Sequence, residues 1–466
     1  MLKPIISSTI AYLFTSIPFQ ILNFLGNILL ARMLLPEYFG TIALALVFRE
    51  WLSILIGWST SQYFVLGDGS QQEFGNNFLG ATLAGALIIV VGVGIYLLAH
   101  NNENQVFYLI VMIVCFSEGI TCVAQLLLAP LERNLELLKL SILRNGSVTI
   151  SMVLAVLVAY ISPGIWPLVF RELLLSLLLL LAGIWTCNYK IRVNFSSFSK
   201  NGLKLVKYGY SLNLSRATEV IFYRIPDLLF AKIFGVVATG HFTQARTFLM
   251  FTLKIPNTVL EQVLFLSLVK LKAEKKSAEY FYFMQFLTSR FMIVAAWYFA
   301  LLAPPIFIWL FGENWRTASF LLPHLSGFMF FAALFNALQA YYYSLENQLL
   351  VTLSYGLGIF SFVGFVFVLR STSGISEIAS ALTYSMGISC LALHFLGLIQ
   401  GYKIPIIRVF WLPSLTIITF FSRSLSIDFQ DYEFILFLII ILTVSVFEVI
   451  IEFRKILKNS HNQSLR

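Results

Sequence analysis

The chain has 466 residues, of which 59% are apolar and only 11% are charged, and its mean hydropathy is +0.86. A soluble globular domain carries about a quarter charged residues, so this composition excludes a soluble fold. The formal net charge of +9 then needs an explanation in terms of membrane topology or of an anionic partner.

Fourteen apolar runs predict membrane-spanning helices along the whole chain. Each is about 18 residues or longer, which is enough to cross a hydrocarbon core of about 30 Å. Strands of a membrane barrel would instead alternate over about ten residues, whereas these runs are apolar on every face. We therefore expect an all-α integral membrane protein. The predicted spans are 8–30, 40–64, 77–99, 106–129, 141–160, 165–187, 206–231, 240–266, 284–310, 317–344, 347–369, 376–400, 407–424 and 432–452.

The first apolar run predicts a retained span. It extends from Ile5 to Leu30 and is not followed by a small-residue cleavage site, unlike a signal peptide. If the N-terminus is cytoplasmic, 19 of the 31 Lys and Arg residues fall on the cytoplasmic side and 5 outside, and 7 lie within spans or at their ends. This bias follows the positive-inside rule. It predicts that both termini are cytoplasmic, and it explains the net charge without nucleic acid.

Two segments 200 residues apart form an internal repeat. The segment from Asn27 to Gly40 aligns without a gap on the segment from Asp227 to Gly240, and a polar residue, an alanine, a cation and the final glycine coincide. We expect each glycine to follow a short loop and to begin the next helix. Six predicted spans separate the copies, so the repeats should be parallel. The predicted domains are a six-helix lobe at 1–190, a second at 200–402, and two additional helices with a short cytoplasmic tail at 405–466.

Charged residues within the predicted spans are candidates for the functional site. A charge at the bilayer centre costs about 2.5 to 3.5 kcal/mol on insertion scales, so retained charges usually face a polar cavity, pair, or serve an ion pathway. The seventh span, 206–231, holds the most. On a helical wheel its polar residues fall within an arc of about 140°; they are Asn213, Arg216, Glu219, Tyr223, Arg224 and Asp227.

Arg216 and Arg224 are the first candidate substrate-binding residues. A guanidinium group binds phosphate oxygens bidentately and keeps its charge when partly desolvated, which suits a pyrophosphate headgroup. The alternative is that both arginines are structural, because Arg216 and Glu219, like Arg224 and Asp227, have the i to i+3 spacing of helical ion pairs.

Other spans contribute further candidates. Arg49 and Arg246 are candidate cavity cations in spans two and eight. Glu118 has no charged neighbour in its own span, so it is a candidate for proton coupling, with a hydrogen-bonded structural role as the alternative.

The cysteines and histidines form no metal-binding pattern, and no GxxxxGK[ST] nucleotide-binding loop occurs. No catalytic residue, metal or cofactor is therefore predicted. The candidate ion-coupling residues are Glu50, Glu118, Glu219 and Asp227.

Three segments resemble the polysaccharide transporter family. They are Leu30-Ala-Arg-Met-Leu-Leu-Pro-Glu-Tyr-Phe-Gly40, Leu131-Glu-Arg-Asn-Leu-Glu-Leu-Leu-Lys-Leu140 and Leu310-Phe-Gly-Glu-Asn-Trp315. The family includes the O-antigen and exopolysaccharide flippases of the multidrug/oligosaccharidyl-lipid/polysaccharide exporter superfamily. The resemblance covers nearly the whole chain in order. The second-lobe turn departs from the family pattern by having His241 after Gly240.

The resemblance implies a flippase of the bacterial cytoplasmic (inner) membrane. Such a protein moves an undecaprenyl-diphosphate-linked oligosaccharide from the inner to the outer leaflet by alternating access of two lobes. The absence of a nucleotide-binding loop favours coupling to a gradient of an ion, either proton or sodium. The implied partners are the lipid-linked oligosaccharide, membrane lipids, the coupling ion, and a polysaccharide polymerase and glycosyltransferases, with no nucleic acid.

Two other functions remain alternatives. A drug/cation antiporter of the same superfamily would need a mainly acidic or aromatic cavity, and the seven cations within or at the ends of spans favour an anionic substrate instead. A membrane-embedded polysaccharide polymerase or ligase would need a sizeable outward loop with acid and base residues. The predicted outward loops have about ten residues or fewer, so we expect a transporter and not an enzyme.

Overall fold

The computed structural model describes residues 2–57, 59–67, 69–99, 104–190, 195–272, 277–345, 347–369, 374–400, 409 and 442–451. These residues form helices and no strand, which confirms the predicted all-α class. In chain order the helices are α1 (Leu2–Met33), α2 (Pro36–Ile56), α3 (Thr60–Leu66), α4 (Gln71–Leu98), α5 (Gln105–Arg133), α6 (Leu137–Ile161), α7 (Trp166–Thr186), α8 (Phe195–Lys272), α9 (Ser277–Phe311), α10 (Arg316–Ser344), α11 (Gln348–Leu369), α12 (Ile375–Ile399) and α13 (Leu442–Ile451), with a 3-10 turn at Glu313–Trp315.

Among the described helices, nine are long and apolar enough to cross a membrane. The protein is therefore a multi-pass membrane protein. The predicted span 407–424 lies outside the described residues except at Val409, and the span 432–452 is described only as α13. The predicted number of fourteen helices is thus not confirmed.

The structure differs from the prediction at two helix breaks, and four helices begin six or more residues before their predicted spans. The predicted span 40–64 is divided, because α2 ends at Ile56 and the short helix α3 follows. The loop predicted before Gly240 is a single break within α8 at Gly235, whose φ of 86° favours glycine. We call the two parts of this helix α8N (195–234) and α8C (236–272).

The chain forms two compact units. Unit 1 contains residues 1–244 and 308–317, and unit 2 contains residues 245–307 and 318–466. The first unit thus holds α1 to α7, α8N, the beginning of α8C and the turn that follows α9. The lobe boundaries inferred from the repeat, at 1–190, 200–402 and 405–466, stay a prediction.

Helix α5 packs against α2, α3, α4, α6 and α7. Small residues permit its close approach to α4: a Cβ atom on Gly85 would lie 2.5 Å from the Gly119 carbonyl oxygen. Membrane helices commonly use such small-residue contacts, since lipid provides no hydrophobic drive for association. Helix α5 thereby carries Glu118 into the interior of the unit.

The two copies of the internal repeat pack directly against each other within unit 1. A Cβ atom on Gly40 would lie 2.0 Å from the Val236 carbonyl oxygen, and one on Gly240 would lie 1.9 Å from the Pro36 carbonyl oxygen. Position 40 thus meets 236 while position 240 meets 36. This reciprocal pattern is that of a contact across a twofold axis. Glycine is required at both positions because the two backbones touch.

The turn after α9 is attached to the same region. The Trp315 indole Nε1 donates to the Ala31 carbonyl oxygen at 2.8 Å, and its ring packs edge-on against Phe39 and His241 at centroid distances of 5.2 and 5.6 Å. The Arg32 Nε donates to the Leu310 carbonyl oxygen at 2.6 Å and so caps the end of α9. Two of the segments that resemble the polysaccharide transporter family therefore form one structural cluster.

Unit 2 holds α13 through an arginine on α9. Arg290 is 1% exposed and forms an ion pair with Glu448. Its guanidinium lies 4.7 Å from the centroid of the Phe286 ring and donates to the Val409 carbonyl oxygen at 3.2 Å. A buried guanidinium needs such partners because an unpaired charge in the membrane interior is costly. The described part of the C-terminal region is therefore packed into unit 2.

The reciprocal glycine contact predicts a stability difference between two Gly→Ala substitutions. Gly240→Ala should destabilise the protein by about 1 to 3 kcal/mol, as overpacking typically does. Gly146→Ala is the matched control, because nothing lies within 4 Å of the added Cβ atom and alanine is the better helix former. Thermal unfolding in detergent, followed by the remaining monodisperse fraction, measures the effect. A Gly240→Ala melting temperature equal to that of Gly146→Ala would contradict the contact.

Candidate functional site

Six charged side chains meet inside unit 1. They are carried by α2, α5, α7 and α8N, so residues far apart in sequence are brought together in the apolar interior. All are at most 24% exposed. We call this group the charge cluster, and it consists of Arg49, Glu50, Glu118, Glu172, Arg224 and Asp227.

Arg49 joins three helices within the charge cluster. Its Nη1 donates to Glu172 Oε2 at 2.7 Å, and its Nε lies 3.7 Å from Glu118 Oε2. The remaining nitrogen, Nη2, lies 3.8 Å from Glu50 Oε1. Glu118 also accepts a hydrogen bond from Ser53 Oγ at 2.7 Å. The guanidinium on α2 thus holds α5 and α7 in place, with Glu172 as its closest partner.

Arg224 connects α8N to α2. Its Nε donates to Glu50 Oε2 at 2.6 Å, and its Nη2 contacts the other oxygen of the same carboxylate, so the pair is bidentate. The Nη1 lies 3.5 Å from Asp227 Oδ2, and Asp227 Oδ1 accepts from Thr243 Oγ1 at 3.3 Å. The predicted i to i+3 contact therefore exists, but Glu50 is the closer partner.

Asn213 also attaches α8N to the end of α2. Its Nδ2 donates to the Ile54 carbonyl oxygen at 2.9 Å, and its Oδ1 accepts from Ser59 Oγ at 2.6 Å. The last carbonyls of a helix have no partner within the helix, so an amide side chain there satisfies one of them. Part of the predicted polar stripe of span seven thus faces protein and not water.

The charge cluster contains four carboxylates and two guanidinium groups, so two negative charges are in excess when all are ionised. Burying charges in a membrane protein is costly unless they are paired. The two arginines offset part of that cost. The excess of carboxylates makes the site suited to attract a further cation or to hold a proton.

The structure brings together five of the eight predicted site residues. Arg49, Glu50, Glu118, Arg224 and Asp227 belong to the charge cluster, and Glu118 is not isolated as its span suggested. The other three lie elsewhere: Arg216 is exposed, Glu219 is half-buried in α8N, and Arg246 is buried in unit 2.

Sequence reasoning missed Glu172, and it counted Arg171 among the seven cations within or at the ends of spans without selecting it as a site residue. A signal was present, since the tetrapeptide Val47-Phe-Arg-Glu50 recurs as Val169-Phe-Arg-Glu172. The Arg171 Nε is buried and has no hydrogen-bond partner among the described residues. Arg171 directly precedes Glu172 on α7. Arg171 is thus a half-buried cation within an apolar helix.

Comparison with known proteins identifies relatives of this chain. The family described as "Polysaccharide biosynthesis protein" matches residues 29–320. The succinoglycan biosynthesis transport protein ExoT of Rhizobium meliloti is 25% identical over 308 residues, which are 64% of this chain and 60% of that protein. The match thus spans about three fifths of this curated relative.

Solved structures of transporters share the fold. The lipid II flippase MurJ in an inward closed conformation superposes with a TM-score of 0.69 at 16% identity, covering 97% of this chain and 99% of that chain. An inward-facing multidrug resistance MATE family transporter of the MOP superfamily gives a TM-score of 0.65 at 14% identity, covering 84% and 98%.

The central position of Arg49 predicts strong energetic coupling to Glu172. In a double-mutant cycle of Arg49→Gln and Glu172→Gln, the coupling free energy should lie within about 0.5 to 3 kcal/mol. The losses of unfolding free energy in the two single variants should therefore add up to more than the loss in the double variant. The free energy of unfolding in mixed micelles provides the measurement.

Arg144 and Glu132 form the control pair for this cycle. Their ion pair is 3.3 Å long but both side chains are more than 40% exposed, so its coupling should be below about 1 kcal/mol. Equal coupling in the two cycles would contradict the structural role of Arg49.

Proposed function

Because this chain belongs to the polysaccharide biosynthesis protein family, we propose that it is a flippase for an undecaprenyl-diphosphate-linked oligosaccharide. The cargo would be the repeat unit of an exopolysaccharide or O-antigen, moved from the inner to the outer leaflet. The relative ExoT is a transport protein of succinoglycan biosynthesis, which supports a transporter and not an enzyme. The observation that carries the proposal is the presence of arginines inside an apolar helical unit that also holds the charge cluster.

Arg216 and Arg171 are the proposed contacts of the pyrophosphate. Arg216 is exposed and makes no hydrogen bond or ion pair to the described residues, and the buried Nε of Arg171 lacks a partner among them. A diphosphate offers oxygens for bidentate guanidinium contacts. Arg49 and Arg224 are instead neutralised by carboxylates, so their proposed role is to position the helices around the substrate. Arg246 in unit 2 remains a predicted substrate contact.

We assign ion coupling to the carboxylates of the charge cluster. Arg49 lies 3.7 Å from Glu118 and 3.8 Å from Glu50, distances at which the attraction depends strongly on the charge of each carboxylate. A proton or sodium ion that neutralises one of these carboxylates would weaken its attraction to Arg49. The α2 contacts to α5 and α8N would then respond to ion binding. Glu219 and Asp227 are further proposed coupling residues, and alternating access of two lobes is the proposed transport mode.

The proposed location is the bacterial cytoplasmic membrane with both termini in the cytoplasm. The distribution of Lys and Arg along the sequence supports this orientation, with 19 on the cytoplasmic side and 5 outside. Glycosyltransferases would then assemble the substrate on the cytoplasmic face, and a polymerase would use it after translocation.

Deletion of the gene should cause lipid-linked repeat units to accumulate in the inner leaflet. In spheroplasts of the deletion strain, these units should be protected from a membrane-impermeant glycan-oxidising reagent, whereas lysed cells should show full oxidation. A deletion strain that changes only drug resistance, without accumulating the lipid-linked units, would favour the antiporter and refute the flippase.

Arg216→Gln and Arg171→Gln should each lower polymer export by about tenfold or more, since hydrogen bonds to charged groups contribute about 1.5 to 3 kcal/mol. Arg216→Lys should retain part of the export, because it keeps the charge but not the bidentate geometry. Extracellular polymer normalised to the amount of membrane-inserted protein is the measurement.

Arg144→Gln is the matched control for both substitutions. It removes an exposed arginine of unit 1, and export should remain at the wild-type level. Wild-type export by Arg216→Gln would remove Arg216 from the substrate pathway, and the same result for Arg171→Gln would remove Arg171.

A further inference from the structure

A second feature, within unit 2 alone, is a cavity of about 340 Å³ between α9, α10, α11 and α12. Its volume falls in the range of about 300 to 1,000 Å³ that is usual for small-molecule sites. None of its sixteen described lining residues is charged. Five aromatic rings line it: Trp297, Phe330, Phe331, Phe365 and Tyr384.

Three hydroxyl groups of the cavity wall already donate their hydrogen bonds to the protein backbone. Ser326 Oγ donates to the Pro323 carbonyl oxygen at 2.7 Å, and Thr383 Oγ1 donates to the His324 carbonyl oxygen at 2.7 Å. Ser380 Oγ donates to the Ser376 carbonyl oxygen, one turn earlier in the same helix, at 3.1 Å. A hydroxyl has one proton to donate. These groups therefore have none left for a polar ligand, and the wall presents mainly aromatic and aliphatic surface.

The histidine in the cavity wall is also engaged. His324 Nδ1 lies 2.8 Å from Ser380 Oγ. The neutral, internally bonded wall contrasts with the charge cluster of unit 1, and an ionic headgroup would lose its hydration here without compensation. The cavity is therefore suited to an apolar group.

We propose that this cavity binds isoprene units of a polyprenyl chain. This inference rests on the proposed function, in which the cargo carries such a chain. The volume of the cavity is that of a small-molecule site, which suits a short segment of such a chain. Planar alkenes with methyl branches pack well on aromatic faces. They also lose less conformational freedom on binding than a saturated acyl chain does.

Photocrosslinking of the full-length protein tests this proposal. Purified protein in detergent is irradiated with a polyprenyl phosphate that carries a diazirine in its second isoprene unit, and labelled peptides are identified by mass spectrometry. A phospholipid with a diazirine in its acyl chain is the second probe. The polyprenyl probe should label peptides of α10 and α12 that line the cavity, and unlabelled polyprenyl phosphate should compete, while the phospholipid probe should label there about tenfold less.

Two cavity-filling variants sharpen the test. Ile388→Trp and Ala296→Phe place bulk in the cavity from α12 and α9, and each should lower polyprenyl labelling of the cavity peptides by about tenfold. Phe395→Trp is the matched control on α12, at a side chain that is 63% exposed, and its labelling should match wild type. Each variant is compared at equal monodisperse yield, and either cavity variant that folds is sufficient.

The outcomes separate this inference from the proposed function. Equal labelling by the phospholipid probe, or unchanged labelling in a folded cavity-filling variant, overturns the assignment to isoprene. Loss of export in the Arg216→Gln strain together with no cavity labelling would leave the flippase standing and refute the cavity assignment. Cavity labelling without accumulation of lipid-linked units in the deletion strain would support the site but refute the cargo.

Discussion

The arrangement of unit 1 depends on how a charge is accommodated inside a membrane protein. Arg49 lies in an apolar helix, where an unpaired guanidinium would be strongly unfavourable. Its three carboxylate neighbours come from its own helix and from α5 and α7. Neutralising the Arg49 guanidinium thus requires α5 and α7 to pack against α2 with Glu118 and Glu172 level with Arg49. The same contacts create the local excess of negative charge on which ion coupling would act.

Much of the fold could be predicted from the sequence, because apolar runs of membrane length have one stable conformation in lipid. Each predicted span up to 376–400 overlaps an observed helix, and six of these twelve spans have both ends within four residues of the structure. The division of span two into α2 and α3 was not predictable, since Gly57 and Ser59 interrupt the helix without interrupting the hydropathy. The break at Gly235 was also displaced from its predicted place, because glycine backbone conformation is not visible in an apolar pattern.

The sequence predicted most of the charged residues of the candidate site, but it did not predict which of them form ion pairs. Intramembrane charge identified Arg49, Glu50, Glu118, Arg224 and Asp227, whereas their partners come from distant helices and depend on packing. Local i to i+3 spacing suggested Asp227 as the partner of Arg224, yet Glu50, 174 positions away, lies closer. Hydropathy also gave no indication of the neutral cavity in unit 2, because the aromatic residues that line it are as apolar as the other residues of a membrane-spanning helix.

The reciprocal contact of Gly40 and Gly240 has a consequence for the history of the chain. Equivalent positions of the two repeat segments meet reciprocally, as the same residue of two subunits does in a homodimer. In a half-length ancestor that assembled as a dimer, one glycine position would have supplied both sides of this contact. Any larger side chain there would have entered the interface twice. In the present chain glycine occupies both positions, so a larger side chain at either one would meet the backbone of the other segment.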